Sequence, residues 1–149
     1  SLVIARELRD KRREGNALNN IGNAYIEIGQ YANASATLLE AIDVYESMRL
    51  SNLSDANKIS IFDTYSRSYP LLQQAFIADK KPLKALEIAE RSKARAFIEL
   101  LASKLSENTN SQSIIKPSKI EDIRKVAKEQ NATIVQYSII ISEIYIWVI

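Results

Sequence analysis

Four asparagine side chains lie within eight positions near the start of the sequence, at Asn16, Asn19, Asn20 and Asn23. Each carboxamide both donates and accepts hydrogen bonds, which suits recognition of the backbone of an extended peptide. The alternative is that they are polar residues of a helix surface, with Asn20 bonded to a neighbouring helical pair. Their spacing makes them the first candidates for a peptide-binding surface.

Two residue types that carry much of enzyme chemistry are absent from the 149 residues, since there is no Cys and no His. This excludes disulfides, thiolate or imidazole metal sites, and Cys–His or Ser–His–Asp catalysis within this chain. We therefore expect no catalytic residue, no cofactor and no metal ion here.

The net charge and the hydropathy pattern limit the classes of partner and the compartment that this protein is expected to have. The net charge is +2 and opposite charges are interspersed, so we expect no nucleic acid. A local basic excess comprises Lys80, Lys81, Lys84, Arg91, Lys93 and Arg95. Glu87 and Glu90 interleave with it and no aromatic residues alternate for base stacking, so a solvated helix face is favoured over an acidic-partner or nucleic-acid site. No apolar run approaches the roughly 20 residues of a membrane span, and the first residues show no signal-peptide pattern. We expect a cytoplasmic protein.

The asparagines must be positioned by helices, because apolar residues around them recur at steps of three and four. The first such series is Leu18, Ile21, Gly22, Tyr25 and Ile28, and the second is Tyr31, Ala34, Leu38, Ala41, Ile42 and Tyr45. Gly29 separates them as a residue that favours helix ends. The pattern predicts helices near Asn16–Ile28 and Tyr31–Met48, with Gly22 and Ala34 allowing close approach. The positions off the packing stripe are Asn16, Asn19, Asn20, Asn23, Ile26 and Glu27.

The flanking segments also show helical spacing. Ser1–Leu8 is expected to be the end of an earlier helix, joined by a charged connection at Arg9–Gly15 whose basic run could alternatively be a docking site. Beyond a loop at Ser51–Asp55, a second stripe comprises Ile59, Phe62, Tyr65, Tyr69, Leu72 and Phe76. Pro70 should kink or split that helix, and a further helix runs from Leu83 to Leu105. Arg67, Leu71 and Gln74 are the second pair's counterparts of the asparagine surface.

The C-terminal part changes character. A polar linker covers residues 106–117, and Ser118 with Glu121 predicts a capping box before a helix that ends near Gln130. Ala132–Ile149 is β-branched and aromatic, which predicts two strands joined near Ser142 and Glu143. The fold class expected is mainly α, with antiparallel helical hairpins followed by a C-terminal helix and a two-stranded β-hairpin.

The segment Leu18–Ala41 resembles a tetratricopeptide repeat (TPR). The matching positions are Leu18, Ile21, Gly22, Tyr25, Gly29, Tyr31, Ala34, Leu38 and Ala41. A degenerate second copy fits at an offset of 51 residues, through Tyr69, Leu72, Phe76, Pro82 and Ala85. The resemblance implies an α-solenoid over residues 1–105, with a hairpin at 15–48 and a degenerate hairpin at 55–105. It also implies that Asn19, Asn20 and Asn23 contact a peptide.

The segment Glu87–Leu105 is similar to the helix that joins TPR arrays to a CHAT domain, the caspase-like peptidase domain of many bacterial TPR proteins. Residues 118–149 look like the opening helix and first strand pair of that domain. The family's catalytic His and Cys have no counterpart in this sequence, so no catalytic residue carries over.

These observations predict a protein–protein interaction scaffold, the recognition and regulatory region of a CHAT-domain protein, that binds a protein or peptide. The candidate groove residues are Asn16, Asn19, Asn20, Asn23, Glu27, Arg67 and Gln74. Two alternatives stay open. One is the regulatory part of a caspase-like cysteine peptidase whose catalytic residues lie outside this chain. The other is a self-association module, a homo-oligomer formed through the uncapped first helix and the bare final strand.

Overall fold

The structure, a computed structural model, describes residues 1–49, 67–105, 119–140 and 142–149. Its helices are α1 (Leu2–Glu7), α2 (Lys11–Glu27), α3 (Tyr31–Arg49), α4 (Ser68–Ala78), α5 (Pro82–Leu105) and α6 (Ile120–Glu129). The strands are β1 (Val135–Ile140) and β2 (Glu143–Val148). The mainly α fold with a C-terminal helix and β-hairpin is therefore confirmed. The chain divides into two compact units, Ser1–Pro82 and Leu83–Ile149.

Several predictions fall outside the described residues. They concern the loop at Ser51–Asp55, the start of the second stripe at Ile59–Tyr65, and the linker at 106–117.

Helix α2 begins at Lys11, five residues before the predicted start at Asn16. Asp10 caps it, because its carboxylate accepts a hydrogen bond from the backbone N–H of Arg13 at 3.0 Å, which satisfies one of the free donors of the first turn. Arg9 adopts a positive φ of 53° and makes the turn that precedes the helix. The predicted charged connection is therefore wrong for Lys11–Gly15, which is helical. By contrast, α3 starts at Tyr31 as predicted.

Close packing of α2 on α3 forms the core of the first unit. Of the series predicted for α3, Tyr31 is half-buried and the others are buried, namely Ala34, Leu38, Ala41, Ile42 and Tyr45. A Cβ on Gly22 would lie 2.5 Å from Cγ of Leu38, and one on Gly15 would lie 2.5 Å from Cε1 of Tyr45. Real Cβ atoms do not approach so closely, so both glycines are required by the packing. Gly22 was predicted for this role and Gly15 was not.

The packing stripe of α2 departs from the prediction at Ile21, which is 36% exposed, and at its C-terminal end. Ile28 is 64% exposed, whereas Ile26 is buried at 9% exposure. The physical reason is that the helix ends at Glu27, so Ile28 is the cap residue and leaves the helical direction. Ile26 therefore belongs to the core and not to the candidate binding surface.

The turns after α2 and α4 share one geometry. Gly29 has a φ of 72°, and the N–H of the next residue, Gln30, donates to the carbonyl of Tyr25 at 2.8 Å. Lys80 has a φ of 58°, and the N–H of Lys81 donates to the carbonyl of Phe76 at 2.8 Å. Both are helix ends closed by a left-handed residue. The same turn thus recurs at the 51-residue offset, with Lys80 in the place of Gly29.

Pro70 lies in the first turn of α4, which begins at Ser68. The N–H that proline lacks would have no intrahelical acceptor at this position. The stripe before Arg67 lies outside the described residues, so the splitting of the helix at Pro70 stays a prediction, and α4 continues regularly to Ala78.

In the second unit, β1 and β2 pair antiparallel, with Tyr137 opposite Ile146. The turn falls at Ser142, as predicted. The capping box before α6 was predicted from Ser118, which lies outside the described residues, and Glu121. Because the helix starts at Ile120, the carboxylate of Asp122 accepts from the backbone N–H of Lys119 at 3.0 Å, and Glu121 lies one position too early for this contact.

Candidate functional site

Asn16 connects α2 to α3. The hydroxyl of Tyr45 donates a hydrogen bond to Oδ1 of Asn16 at 2.7 Å, and Tyr45 is only 1% exposed. Burial raises the pKa of Tyr45 to about 12, an effect that the positive charge of Arg12 partly opposes. The neutral hydroxyl therefore persists at physiological pH as the donor. Asn16, a candidate groove residue, has a structural role as the acceptor for this buried group.

Asn19 connects α2 to α4. Its Oδ1 accepts from the hydroxyl of Ser68 at 2.7 Å, and Ser68 has no exposed surface. Next to this contact, the hydroxyl of Tyr69 donates to Oε1 of Glu46 on α3 at 2.8 Å. These two bonds hold the first residues of α4 against both helices of the preceding pair. The bond to a neighbouring helical pair, which the sequence assigned to Asn20, is made by Asn19.

Asn20, Asn23 and Glu27 lie on the exposed side of α2. They follow one another at steps of three and four residues, so they form one stripe along the helix surface. The structure gives none of these three side chains a hydrogen bond or ion pair with another described residue. Of the candidate residues on α2, these three are the ones that remain able to contact a partner.

The equivalent stripe on α4 comprises Arg67, Leu71 and Gln74. Arg67 is exposed, and the other two are partly exposed. Because Asn19 and Ser68 bond directly, α2 and α4 are neighbours in the first unit. Together the two stripes present carboxamides, one carboxylate and one guanidinium. We call the set Asn20, Asn23, Glu27, Arg67, Leu71 and Gln74 the amide surface.

An ionic cluster around the buried Glu14 joins α1 to α2, and sequence reasoning missed it. Glu14 is only 6% exposed, and its carboxylate accepts from Nζ of Lys11 at 2.8 Å and from Nε of Arg6 at 3.0 Å. Arg6 also pairs with Glu40 of α3. The hydrogen bond from Lys11, followed by that from Arg6, lowers the pKa of Glu14 although burial opposes the shift. The available signal was the three-residue spacing of Lys11 and Glu14.

The basic residues of α5 are largely paired with the glutamates between them. Nζ of Lys84 lies 3.4 Å from Oε2 of Glu87, and Nζ of Lys93 lies 3.6 Å from Oε1 of Glu90. This pairing fits the solvated helix face that the sequence favoured. In the described part of the chain, no group of three or more acidic, His or Cys residues is placed to hold a metal ion.

No described helix is both long and apolar enough to cross a membrane.

Comparison with known proteins gives two similar sequences. Tetratricopeptide repeat protein 28 of mouse and that of human are each 28% identical to this chain over 141 residues, which is 93% of the chain. The chain resembles a tetratricopeptide repeat protein. It spans about 6% of the length of these relatives. No family model matches the sequence, and no solved structure matches it.

The similarity agrees with the TPR pattern read from Leu18–Ala41 and with the helical hairpin of α2 and α3. It supports the coarse interpretation of the chain as a helical-repeat scaffold for protein interaction. The candidate groove residues divide into two groups: Asn16 and Asn19 bond within the fold, and the amide surface is left facing outward.

Proposed function

We propose that this chain is a protein-interaction scaffold whose amide surface binds an extended peptide or a helix of a partner protein. The observation that carries the proposal is the bond between Asn19 and Ser68 at 2.7 Å. It holds α2 beside α4, while Asn20 and Asn23 remain exposed on the same helix. Two carboxamides are thus presented on a support that is already ordered, which lowers the entropic cost of binding.

The chemistry of the amide surface favours a partner recognised through its backbone. Each carboxamide supplies a donor and an acceptor, as a peptide group does. Glu27 and Arg67 add one negative and one positive charge, so the surface has no strong preference for an acidic or a basic partner. Leu71 adds an apolar contact point on α4.

The proposal is tested with a peptide selected on the wild-type chain from a random phage-displayed library. Its affinity is then measured by fluorescence anisotropy for the wild type and for the double variant Asn20→Ala/Asn23→Ala. We expect the double variant to bind about tenfold more weakly, because each lost hydrogen bond is worth roughly 0.5–1.5 kcal/mol.

Asn33→Ala is the matched control, because Asn33 is an exposed asparagine on α3 that bonds to Gln30 at 2.8 Å. It should leave the affinity unchanged. If the double variant binds as tightly as the wild type, or if Asn33→Ala weakens binding equally, the amide surface is not the binding site.

The finer part of the proposal is that this scaffold regulates a CHAT domain beginning near residue 118, in a cytoplasmic bacterial protein. Support comes from the resemblance of Glu87–Ile149 to the junction and opening of that domain. The order of long helix, short helix and antiparallel strand pair in α5, α6, β1 and β2 agrees with it.

The complete gene product would then be a caspase-like cysteine peptidase under control of the amide surface. We expect it to cleave an unfolded protein substrate in an assay that thiol alkylation abolishes. Asn20→Ala/Asn23→Ala should change the dependence of this activity on the selected peptide, whereas Asn33→Ala should not. A complete product without alkylation-sensitive cleavage would contradict the peptidase proposal and leave the scaffold proposal standing.

A further inference from the structure

The two charged side chains of the amide surface are unpaired in the part of the chain that the structure describes. Glu27 is the last residue of α2 and Arg67 directly precedes α4, and both side chains are exposed. Neither of them forms a hydrogen bond or an ion pair with another described residue. By contrast, Arg13 of α2 pairs with Asp10 at 3.2 Å. The charges of Glu27 and Arg67 are therefore free to meet charges of a partner.

The direction of α4 follows from its contacts with α3. The first turn of α4 lies at the C-terminal part of α3, since the hydroxyl of Tyr69 donates to Glu46. Helix α3 ends at Arg49, only three residues further on. Because α4 packs on α3, it must run back toward the start of α3. Helix α4 is thus antiparallel to α3 and parallel to α2, the other member of the hairpin.

The two free charges lie at opposite ends of the amide surface. The bond between Asn19 and Ser68 aligns the two parallel helices, so Arg67 lies near the level of Asn19. Glu27 follows Asn19 by eight residues, which is a rise of about 12 Å along the helix axis. Leu71 lies midway, about 6 Å beyond the level of Arg67. The amide surface is therefore positive at one end, apolar in the middle and negative at the other end.

This spacing matches an extended ligand. An extended chain rises about 3.3 Å per residue, so 12 Å corresponds to about four residues. Residues four apart in such a chain project to the same side, as does the residue midway between them. All three can face the amide surface together. The backbone groups between them then lie along the carboxamides of Asn20 and Asn23.

A helical ligand fits the same charges less well. In an α-helix, 12 Å corresponds to about eight residues, which are about 80° apart around the helix axis. Two side chains at that angle do not point at one surface. The separation of Glu27 and Arg67 thus favours the extended ligand over the helix.

We propose that the amide surface recognises an extended segment with an acidic, an apolar and a basic side chain at alternate positions. The acidic side chain pairs with Arg67, the apolar one contacts Leu71 and the basic one pairs with Glu27. The inference rests on the proposed scaffold function and names the class of ligand that the scaffold takes. Since the two charges of the surface cancel, the ligand is recognised by the spacing of its charges and not by its net charge.

Selection of peptides from a random phage-displayed library on the whole wild-type chain tests the proposal. The enriched peptides should carry an acidic and a basic residue about four positions apart, in either order, with an apolar residue midway. The affinity of one such peptide is then measured by fluorescence anisotropy. It should fall on the order of fivefold for Arg67→Glu, as expected for an exposed ion pair that becomes a like-charge contact. Lengthening or shortening the spacing by one residue should weaken binding similarly, because it turns one charge away from the surface.

A compensating peptide separates lost charge complementarity from damage to the surface. When Lys replaces the acidic residue of the selected peptide, its affinity should fall for the wild type and recover for Arg67→Glu, where opposite charges face each other again. Arg124→Glu is the matched control, because Arg124 is an exposed arginine of the second unit and the change alters the net charge by the same amount. It should leave both affinities unchanged. Far-UV circular dichroism verifies the folding of each variant.

The possible outcomes separate this inference from the scaffold proposal. Unchanged affinity in Arg67→Glu overturns the charge pattern, and so does a Lys-substituted peptide that fails to recover. Enriched peptides whose charges are about eight positions apart would indicate a helical ligand and also overturn it. If Asn20→Ala/Asn23→Ala weakens binding in any of these cases, the scaffold proposal stands. If neither that variant nor Arg67→Glu weakens binding, the amide surface is not the binding site and both proposals fall.

Discussion

Leu38 on α3 and Ile146 on β2 are both large aliphatic residues in strongly periodic segments, yet Leu38 has no exposed surface and Ile146 is 64% exposed. In the first unit, the apolar stripe of α3 meets α2, whose Gly22 leaves room for Leu38. In the second unit, the matching stripe of the sheet faces outward. Periodicity therefore identifies which residues share a face, and it does not say whether that face finds a partner within the same unit.

Two buried polar side chains of the first unit are bonded across helices, Ser68 to Asn19 and Glu14 to Arg6. Asn19 in this unit therefore stabilises the packing of two helices, as does Asn16 through its bond with Tyr45. The contrast predicts that substitutions of buried residues in the first unit lower stability, whereas substitutions of the exposed sheet residues leave it nearly unchanged.

Leu38→Ala should have the largest effect on stability. Removing a fully buried leucine from a closely packed core costs about 3 kcal/mol, from lost burial and the cavity left behind. Urea unfolding should show this in the far-UV circular dichroism of the helices. Trp147 is the single tryptophan and lies in the second unit, so its fluorescence provides a separate transition. If both transitions move together, the two units unfold as one and the comparison between them fails.

Gly22→Ala should lower the free energy of unfolding by roughly 1–2 kcal/mol. Alanine favours a helix over glycine by about 1 kcal/mol, but the added Cβ would lie 2.5 Å from Cγ of Leu38, and overpacking typically costs 1–3 kcal/mol or more. The double variant Gly22→Ala/Leu38→Ala should be less destabilised than the sum of the two, because the smaller residue 38 removes the clash. Additive effects in urea unfolding would show that the close approach is not the cause.

Glu14→Gln should lower the free energy of unfolding by about 1 kcal/mol at pH 7, because it weakens the hydrogen bonds that Lys11 and Arg6 donate to the charged carboxylate. The pKa of Glu14 is lowered from 4.5 in the folded chain. Its contribution to the free energy of unfolding is therefore present above about pH 4.5 and is lost as the pH falls through the folded-state pKa.

The measurement is the urea midpoint of wild type and variant between pH 7 and pH 3. The difference between the two proteins should shrink as the pH falls. A difference that stays constant over this range would show that the carboxylate charge is not what stabilises the contact between α1 and α2.

Ile144→Ser should have the smallest effect on stability, within about 0.5 kcal/mol, because the side chain is 65% exposed. Trp147 fluorescence during urea unfolding at low micromolar concentration is the measurement. A loss above 1 kcal/mol at that concentration would mean that the residue is buried in the unit itself. The distinction between a closed first unit and an open sheet face would then be wrong.

Much of the fold follows from local pattern. Spacing alone predicted the boundaries of α3, the two strands near Ser142 and the need for glycine at position 22. The errors lie at helix ends, where a cap decides the boundary. Asp10 caps α2 five residues before its predicted start, and Asp122 takes the capping role that was predicted for Glu121. A single hydrogen bond between a side chain and a free backbone N–H outweighs the small differences in helix propensity at these positions.

The candidate surface was predicted less completely. The sequence placed all four asparagines on one helix and marked them as polar contact residues. Asn16 and Asn19 were predicted to line the groove. In the structure they accept hydrogen bonds from the hydroxyl groups of Tyr45 and Ser68. Ile26 was placed outside the packing stripe and is buried.

By itself the sequence determined the helical periodicity, the change to strands after Ala132, and the absence of Cys and His chemistry, because each depends on residue type and near neighbours. Only the tertiary structure decided which asparagines support the fold and which face outward. Their partners, Tyr45 and Ser68, lie 29 and 49 residues further along the chain. Hydrogen bonds across such separations leave no local periodic signal, since packing of whole helices brings the groups together.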